Sequence, residues 1–153
     1  MHMAAIPATL LATLLTAAIG LGGGIYECLL IDRVWPDRPT MIQPQHGGID
    51  RKIFWGPLHA AYELLLIASL WVNWSAPVSR LWIGAAIGVH MATRIWSFAY
   101  FIPAAIRFER DDDGKLERPD GAQAWVRLSR LRLITEVAAA GALVMAMHGA
   151  MTA

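Results

Sequence analysis

The sequence predicts an all-α fold, an integral membrane four-helix bundle of up-down topology, in a single domain covering residues 1–153. Two compositional facts and one pattern carry this. Hydrophobic residues make up 56% of the chain and charged residues only 16%, where a soluble domain carries about a quarter. Mean hydropathy is +0.43. The charges are clustered, and the neutral stretches between them reach about 20 residues, the length that crosses a bilayer as a helix.

The first span covers about residues 4–31, with Glu27 as its only charge. It lacks the basic leader of a secretory signal peptide, so it is expected to stay as a membrane helix. A proline-rich polar loop follows, "DRVWPDRPTMIQPQHGGIDRK". The second span, about 54–74, and the third, about 81–106, are joined by a tight turn at Ser75-Ala76-Pro77. A charged connection, "RFERDDDGKLERPDG", leads to the fourth span at about 123–147. Lipid offers no partners for backbone polar groups, so each span is expected to be helical.

Loops 32–52 and 107–121 contain Arg33, Arg38, Arg51, Lys52, Arg107, Arg110, Lys115 and Arg118, against Arg80 on the other side. The positive-inside rule then places both loops in the cytoplasm and both termini outside. A bacterial inner membrane is the expected location. The net charge of +1 gives no basic stripe for nucleic acid. Cys28 is the only cysteine, so no intramolecular disulfide forms. The expected partners are lipid, a hydrophobic small molecule and, for a bundle of this size, further copies of the chain.

An ionisable side chain at the centre of a bilayer costs at least about 2.5–3.5 kcal/mol on insertion scales, so each one inside a span calls for a partner or a role. Glu27, His59, Glu63, His90, Arg94, Arg132 and Glu136 are such residues. His59 and Glu63 are four apart, as are His90 and Arg94, and Arg132 and Glu136, so each pair shares a helix face. At about 1.5 Å per residue, His59 lies roughly 10 Å in from Lys52 and Glu63 roughly 16 Å. Arg132 is expected near the edge. Three interior carboxylates then face one deep arginine, and a polar cavity is expected to accommodate the excess. Structural ion pairs are the simpler alternative for any single residue.

His59, His90 and Glu63 are candidate ligands for a transition metal or a haem. The His-x-x-x-Glu spacing departs from the Glu-x-x-His pattern of metal-binding bundles, and no haem-attachment motif is present. The cofactor question stays open among none, haem and a metal. Trp35, Trp55, Trp71, Trp74, Trp82 and Trp125 fall near span ends, where indoles anchor at the interface. Trp96 lies deeper, where a pocket-lining place and a lipid-facing or packing one are both open to it. Gly20, Gly22, Gly23 and Gly24 allow close helix approach or leave room beside Glu27. Asp111, Asp112 and Asp113 read as solvated loop charge.

Four groups of residues carry a family resemblance. They are Gly24-Ile25-Tyr26-Glu27 with Val34-Trp35-Pro36; Phe54-Trp55-x-Pro57-x-His59; Thr93-Arg94 leading to Tyr100-Phe101-Ile102-Pro103; and Trp125-x-x-Leu128-x-x-x-Arg132. Together they resemble a family of small four-helix membrane proteins that includes the anthrone-oxygenase-like proteins. The resemblance implies the bundle fold and, for the activity, oxygenation of polycyclic aromatic anthrones to quinones. The expected function is therefore a membrane-embedded enzyme of oxidoreductase type acting on a hydrophobic small molecule. His59 or Glu63 is expected as base, Arg94 as oxyanion stabiliser and Tyr100 as proton donor, with Tyr26, Glu27, Trp55, Trp96 and Glu136 around the pocket. The alternatives are a haem- or metal-dependent isomerase in the same pocket and a non-catalytic accessory subunit.

Overall fold

The computed structural model describes residues 8–110, 116 and 119–152. Among these there is no strand, and the chain is an all-helical bundle. Helix α1 is Ala8–Tyr26 and runs on as a π-helical turn, Glu27–Ile31. Two short 3₁₀ turns, Pro39–Ile42 and Pro44–His46, occupy the proline-rich loop. Helix α2 is Lys52–Val72, and α3 is Pro77–Trp96. A second π turn, Ser97–Phe101, joins α3 to α4, Ile102–Glu109. Helix α5, Pro119–Thr152, closes the bundle.

Local chemistry accounts for the boundaries. Pro77 starts α3 at a position where its missing N–H costs nothing. Asn73 ends α2, its side-chain amide donating to the Ser69 carbonyl at 2.8 Å. Gly47 takes a left-handed φ of 80° at the end of the second 3₁₀ turn, a conformation that favours glycine. The helices reach further into the charged connection than the sequence reading expects: α4 continues to Glu109 and α5 begins at Pro119. The aspartate triplet, Lys115 and Arg118, like residues 4–7 of the first span, lie outside the described residues.

The segment Ala8–Ile31 and the helices Lys52–Val72 and Asp120–Thr152 are long and apolar enough to cross a membrane. These three spans mark a membrane protein. Helix α3 is of similar length, but His90 and Arg94 lower its hydropathy. Helix α1 packs on α2 and α5, and α3 packs on α5 and α2, so the rods form a ring. Large apolar side chains face outward, among them Leu15, Leu64, Trp71, Leu81, Ile95 and Ile134. That outer surface suits lipid and would be a liability in water.

The interior has two packed ends. At one, Leu10, Leu66, Ile83, Leu143 and Ala146 form a core of aliphatic side chains and alanines. Small polar groups bind helices together there. The Thr13 and Ser69 hydroxyls lie 2.8 Å apart, and Ser79 donates to the Ala146 carbonyl at 3.0 Å. At the other end, beneath the proline-rich loop, Ile31, Trp35, Ile42, Phe101 and Trp125 form an aromatic core. Gln43 fastens that loop by donating to the Phe108 carbonyl at 3.0 Å, and Gln45 donates to the Glu109 carbonyl at 2.8 Å. Trp35 and Trp125, placed at the bilayer interface by the sequence reading, are thus sealed in this core at 0% and 3% exposure. Trp71 and Trp74 are exposed, as anchors are. The loop fold makes the difference, because it covers the bundle end.

Candidate functional site

Between the packed ends lies a cavity of about 450 Å³. All four rods line it. The two π turns both border it, Glu27 and Cys28 from the first, Ser97 and Phe101 from the second. A π turn carries an extra residue, visible here as the i→i−5 bond from Asp32 N–H to the Glu27 carbonyl at 2.8 Å. It bulges the helix and re-aims side chains, and such turns occur often at functional sites. Gly24 lets α1 close on α5, since a Cβ there would meet Leu133 Cδ2 at 2.8 Å.

Helix α2 presents Trp55, His59 and Glu63 on one face. The Trp55 indole N–H donates to Glu27 Oε1 at 2.8 Å, joining α2 to α1. Its ring stacks on the His59 imidazole, with centroids 5.5 Å apart and planes 25° apart. Helix α3 answers with His90 and Arg94. Arg94 Nε sits 2.9 Å from Glu63 Oε1, a close ion pair rather than an aligned hydrogen bond. His90 Nε2 is 3.5 Å from the same oxygen. The buried Tyr62 ring meets His90 edge-on at 4.8 Å. Arg94 also lies over the Phe98 ring at 4.6 Å, a cation–π contact.

Helix α5 contributes Ser129, Arg132 and Glu136. Arg132 Nη2 donates to Ser129 Oγ at 3.0 Å, and Nη1 to Ser97 Oγ at 3.4 Å. Its guanidinium lies 4.0 Å from the Phe101 ring centroid. Thr93 donates to Thr135 at 2.8 Å, locking α3 to α5 beside it. Glu136 Oε2 is buried without a hydrogen-bond partner among the described residues.

At the loop end of the cavity, Glu109 receives Arg51 at 3.1 Å and Lys52 at 3.0 Å. That trio leaves one positive charge. Deeper in, Arg94 and Arg132 face Glu27, Glu63 and Glu136, leaving one negative charge. The formal charges of the cavity therefore cancel. This revises the expected surplus of carboxylates. The sequence reading put Arg132 near the edge, whereas α5 begins early enough to carry it about 20 Å along the helix. With the charges balanced, the cavity does not demand a bound cation.

His59, Glu63, Arg94, Glu27, Trp55, His90 and Glu136 all line the cavity. Tyr26 points outward at 57% exposure. Trp96 and Tyr100 pack edge-on against Phe101 in the aromatic core and are not part of the lining. Sequence reasoning left out Ser97, Ser129, Tyr62 and the Glu109 trio. The serines carried no charge to betray them.

As a metal centre the arrangement fits poorly. Among the described residues no three His, Cys, Asp or Glu side chains converge to hold an ion. Glu63 already faces the Arg94 guanidinium, and a cation beside it would be repelled. His59 and His90 approach with ring centroids 6.2 Å apart, without a third donor of this kind. Comparison with family models, curated proteins and solved structures finds no match to this chain. The site's chemistry therefore rests on its own geometry.

Proposed function

We propose that this protein is a membrane-embedded enzyme that acts on a hydrophobic small molecule within the bundle cavity, by an oxygenase-like oxidation that begins with loss of a proton. One observation carries the reading. Imidazoles, carboxylates and guanidinium groups from all four rods meet in one cavity between two packed ends. Pockets of roughly 300–1,000 Å³ hold drug-sized ligands. Ionisable groups inside a membrane protein are costly unless paired or used.

The cavity offers the two elements that carbon-acid chemistry needs: a proton acceptor and N–H donors for the oxygen that becomes negative. For an anthrone-type ketone, as the sequence resemblance implies, the methylene C–H bond breaks and its electron pair moves onto the carbonyl oxygen. Dioxygen then oxidises the electron-rich enolate. The methylene loses two hydrogens in all, one dioxygen atom becomes the new carbonyl oxygen, and the other leaves as water. The Trp55–His59 stack supplies a flat aromatic surface for a ring substrate. Tyr100, outside the lining, takes no part in this proposal. The basic residues of loops 32–52 and 107–121 support a cytoplasmic face for the Glu109 end, in a bacterial inner membrane.

The test uses the protein in lipid nanodiscs with anthrone as probe and a dioxygen electrode. Dioxygen uptake above that of empty nanodiscs, with one quinone formed per dioxygen, supports the reading. Binding without turnover would favour an accessory subunit. A Soret band or stoichiometric bound metal in the purified protein would move the reading to a haem- or metal-dependent isomerase.

A further inference from the structure

The two deep arginines differ in what they hold. Arg94 faces a carboxylate at 2.9 Å. Arg132 has none within ion-pair distance among the described residues. It rests instead on two hydroxyls, Ser97 and Ser129, and on the faces of Phe101 and Trp125. A guanidinium carries five N–H donors, and the serines engage two. Each serine accepts from Arg132 and so keeps its own O–H to donate. Donors therefore gather at one spot with no anion seated on them. One helical turn along α5, Glu136 has a buried Oε2 without a partner, set behind Gly24. Its charge and that of Glu27 reach Arg132 through space.

We infer that Arg132, Ser97 and Ser129 form an oxyanion subsite with Glu136 as the base beside it, and that the substrate is a neutral, weakly acidic hydrophobic molecule, a phenol or an enolisable ketone. The inference rests on the enzymatic reading above and narrows it. On binding, an O–H bond, or a C–H bond next to the carbonyl, breaks. The proton goes to the Glu136 carboxylate, and the electron pair ends on the oxygen held by Arg132. Net charge within the cavity does not change. A ligand that arrives already charged would unbalance a site whose formal charges cancel, and an uncompensated buried charge is strongly unfavourable. That argues against a permanent carboxylate as the substrate group.

The experiment compares 2-naphthol, 2-methoxynaphthalene and 2-naphthoate as probes in nanodiscs, at a pH where free 2-naphthol is neutral. Binding is read from tryptophan quenching and ionisation from the naphtholate absorption band. The expected result is that bound 2-naphthol shows the naphtholate band, 2-methoxynaphthalene binds more weakly, and 2-naphthoate more weakly still. Arg132→Gln and Glu136→Gln should each reduce the band at least tenfold. Ser97→Ala and Ser129→Ala should reduce it by smaller factors. The serine variants keep the test decisive if Arg132→Gln fails to fold. A band untouched by the Ser97, Ser129 and Glu136 substitutions overturns the subsite, as does preferred binding of 2-naphthoate. Equal binding of 2-naphthol and 2-methoxynaphthalene with no band overturns the subsite and leaves the hydrophobic pocket standing. No binding of any probe overturns both.

Discussion

Trp55 and Glu27 are joined by an indole N–H donating to a carboxylate oxygen at 2.8 Å, across the seam between α2 and the π turn that extends α1. The bond serves two purposes at once. It satisfies a carboxylate inside a membrane span, and it sets the indole plane on which His59 stacks. Orientation of the site therefore depends on a contact that is itself structural.

Trp55→Phe removes the donor and leaves the Glu27 oxygen without it. An abandoned buried acceptor costs about 1–3 kcal/mol, and the partial burial of this bond places it at the lower end. The expected outcome is a loss of stability of that order in mixed-micelle unfolding. Glu27→Gln keeps an acceptor oxygen, so its cost should be smaller. Equal costs for the two variants would contradict the assigned bond.

Glu63 and Arg94 should behave as one unit. Neighbouring residues in an interacting network show coupling of about 0.5–3 kcal/mol in double-mutant cycles. Glu63→Gln and Arg94→Gln are each expected to destabilise, and the double variant should cost less than the two together. Additive effects would show that the 2.9 Å contact contributes nothing.

The proline-rich loop depends on Gly48. A Cβ there would run into the Thr40 carbonyl oxygen, and would lie 2.7 Å from Gln43 N and 2.8 Å from Met41 C. All are backbone atoms and cannot turn aside. Gly48→Ala is expected to cost about 1–3 kcal/mol, as overpacking does, and to loosen the Gln43 and Gln45 bonds to the end of α4. Limited proteolysis should cut the loop faster in the variant; unchanged cutting would contradict the packing described.

Asp32, just beyond the first span, titrates above its ordinary 3.8 because burial disfavours its charge, although the Trp35 indole N–H at 3.0 Å pulls the other way. A raised carboxyl pKa stabilises the fold below the unfolded value, and that contribution is lost as pH rises through the folded value. Thermal stability should therefore fall as pH rises from about 4 through that range. Asp32→Asn keeps the acceptor for Trp35 and should flatten this part of the profile. A wild-type profile that rises there, or one that Asp32→Asn leaves unchanged, would contradict the assignment.

Much of the architecture was legible from the chain. The all-helical class follows from hydropathy, and the turn at Ser75-Ala76-Pro77 from its residues. The ionisable groups of the cavity stood out because charge is costly in an apolar run. What escaped the sequence was geometry that depends on several elements at once. Arg132 was expected at the edge and lines the cavity instead, because the start of α5 inside a charged connection has no apolar signal. Trp35 and Trp125 read as interfacial anchors because the loop's two Gln-to-carbonyl bonds, which cover them, are long-range. The π turns at Glu27 and Ser97 leave no periodic mark, so their place at the border of the cavity was not readable. Ser97 and Ser129 acquire meaning only once Arg132 is seen between them.

The central claim, a cavity that admits a hydrophobic molecule among the charged groups of four rods, is tested most directly by photolabelling. A tricyclic ketone bearing a diazirine is irradiated with the protein in nanodiscs, and the modified residues are mapped by mass spectrometry. The account predicts labels on cavity residues of several rods, such as Leu58, Leu133 and Ile106, suppressed by excess unmodified ketone. Labels confined to the outward residues Leu64, Trp71 and Ile95, and unaffected by competitor, would contradict it.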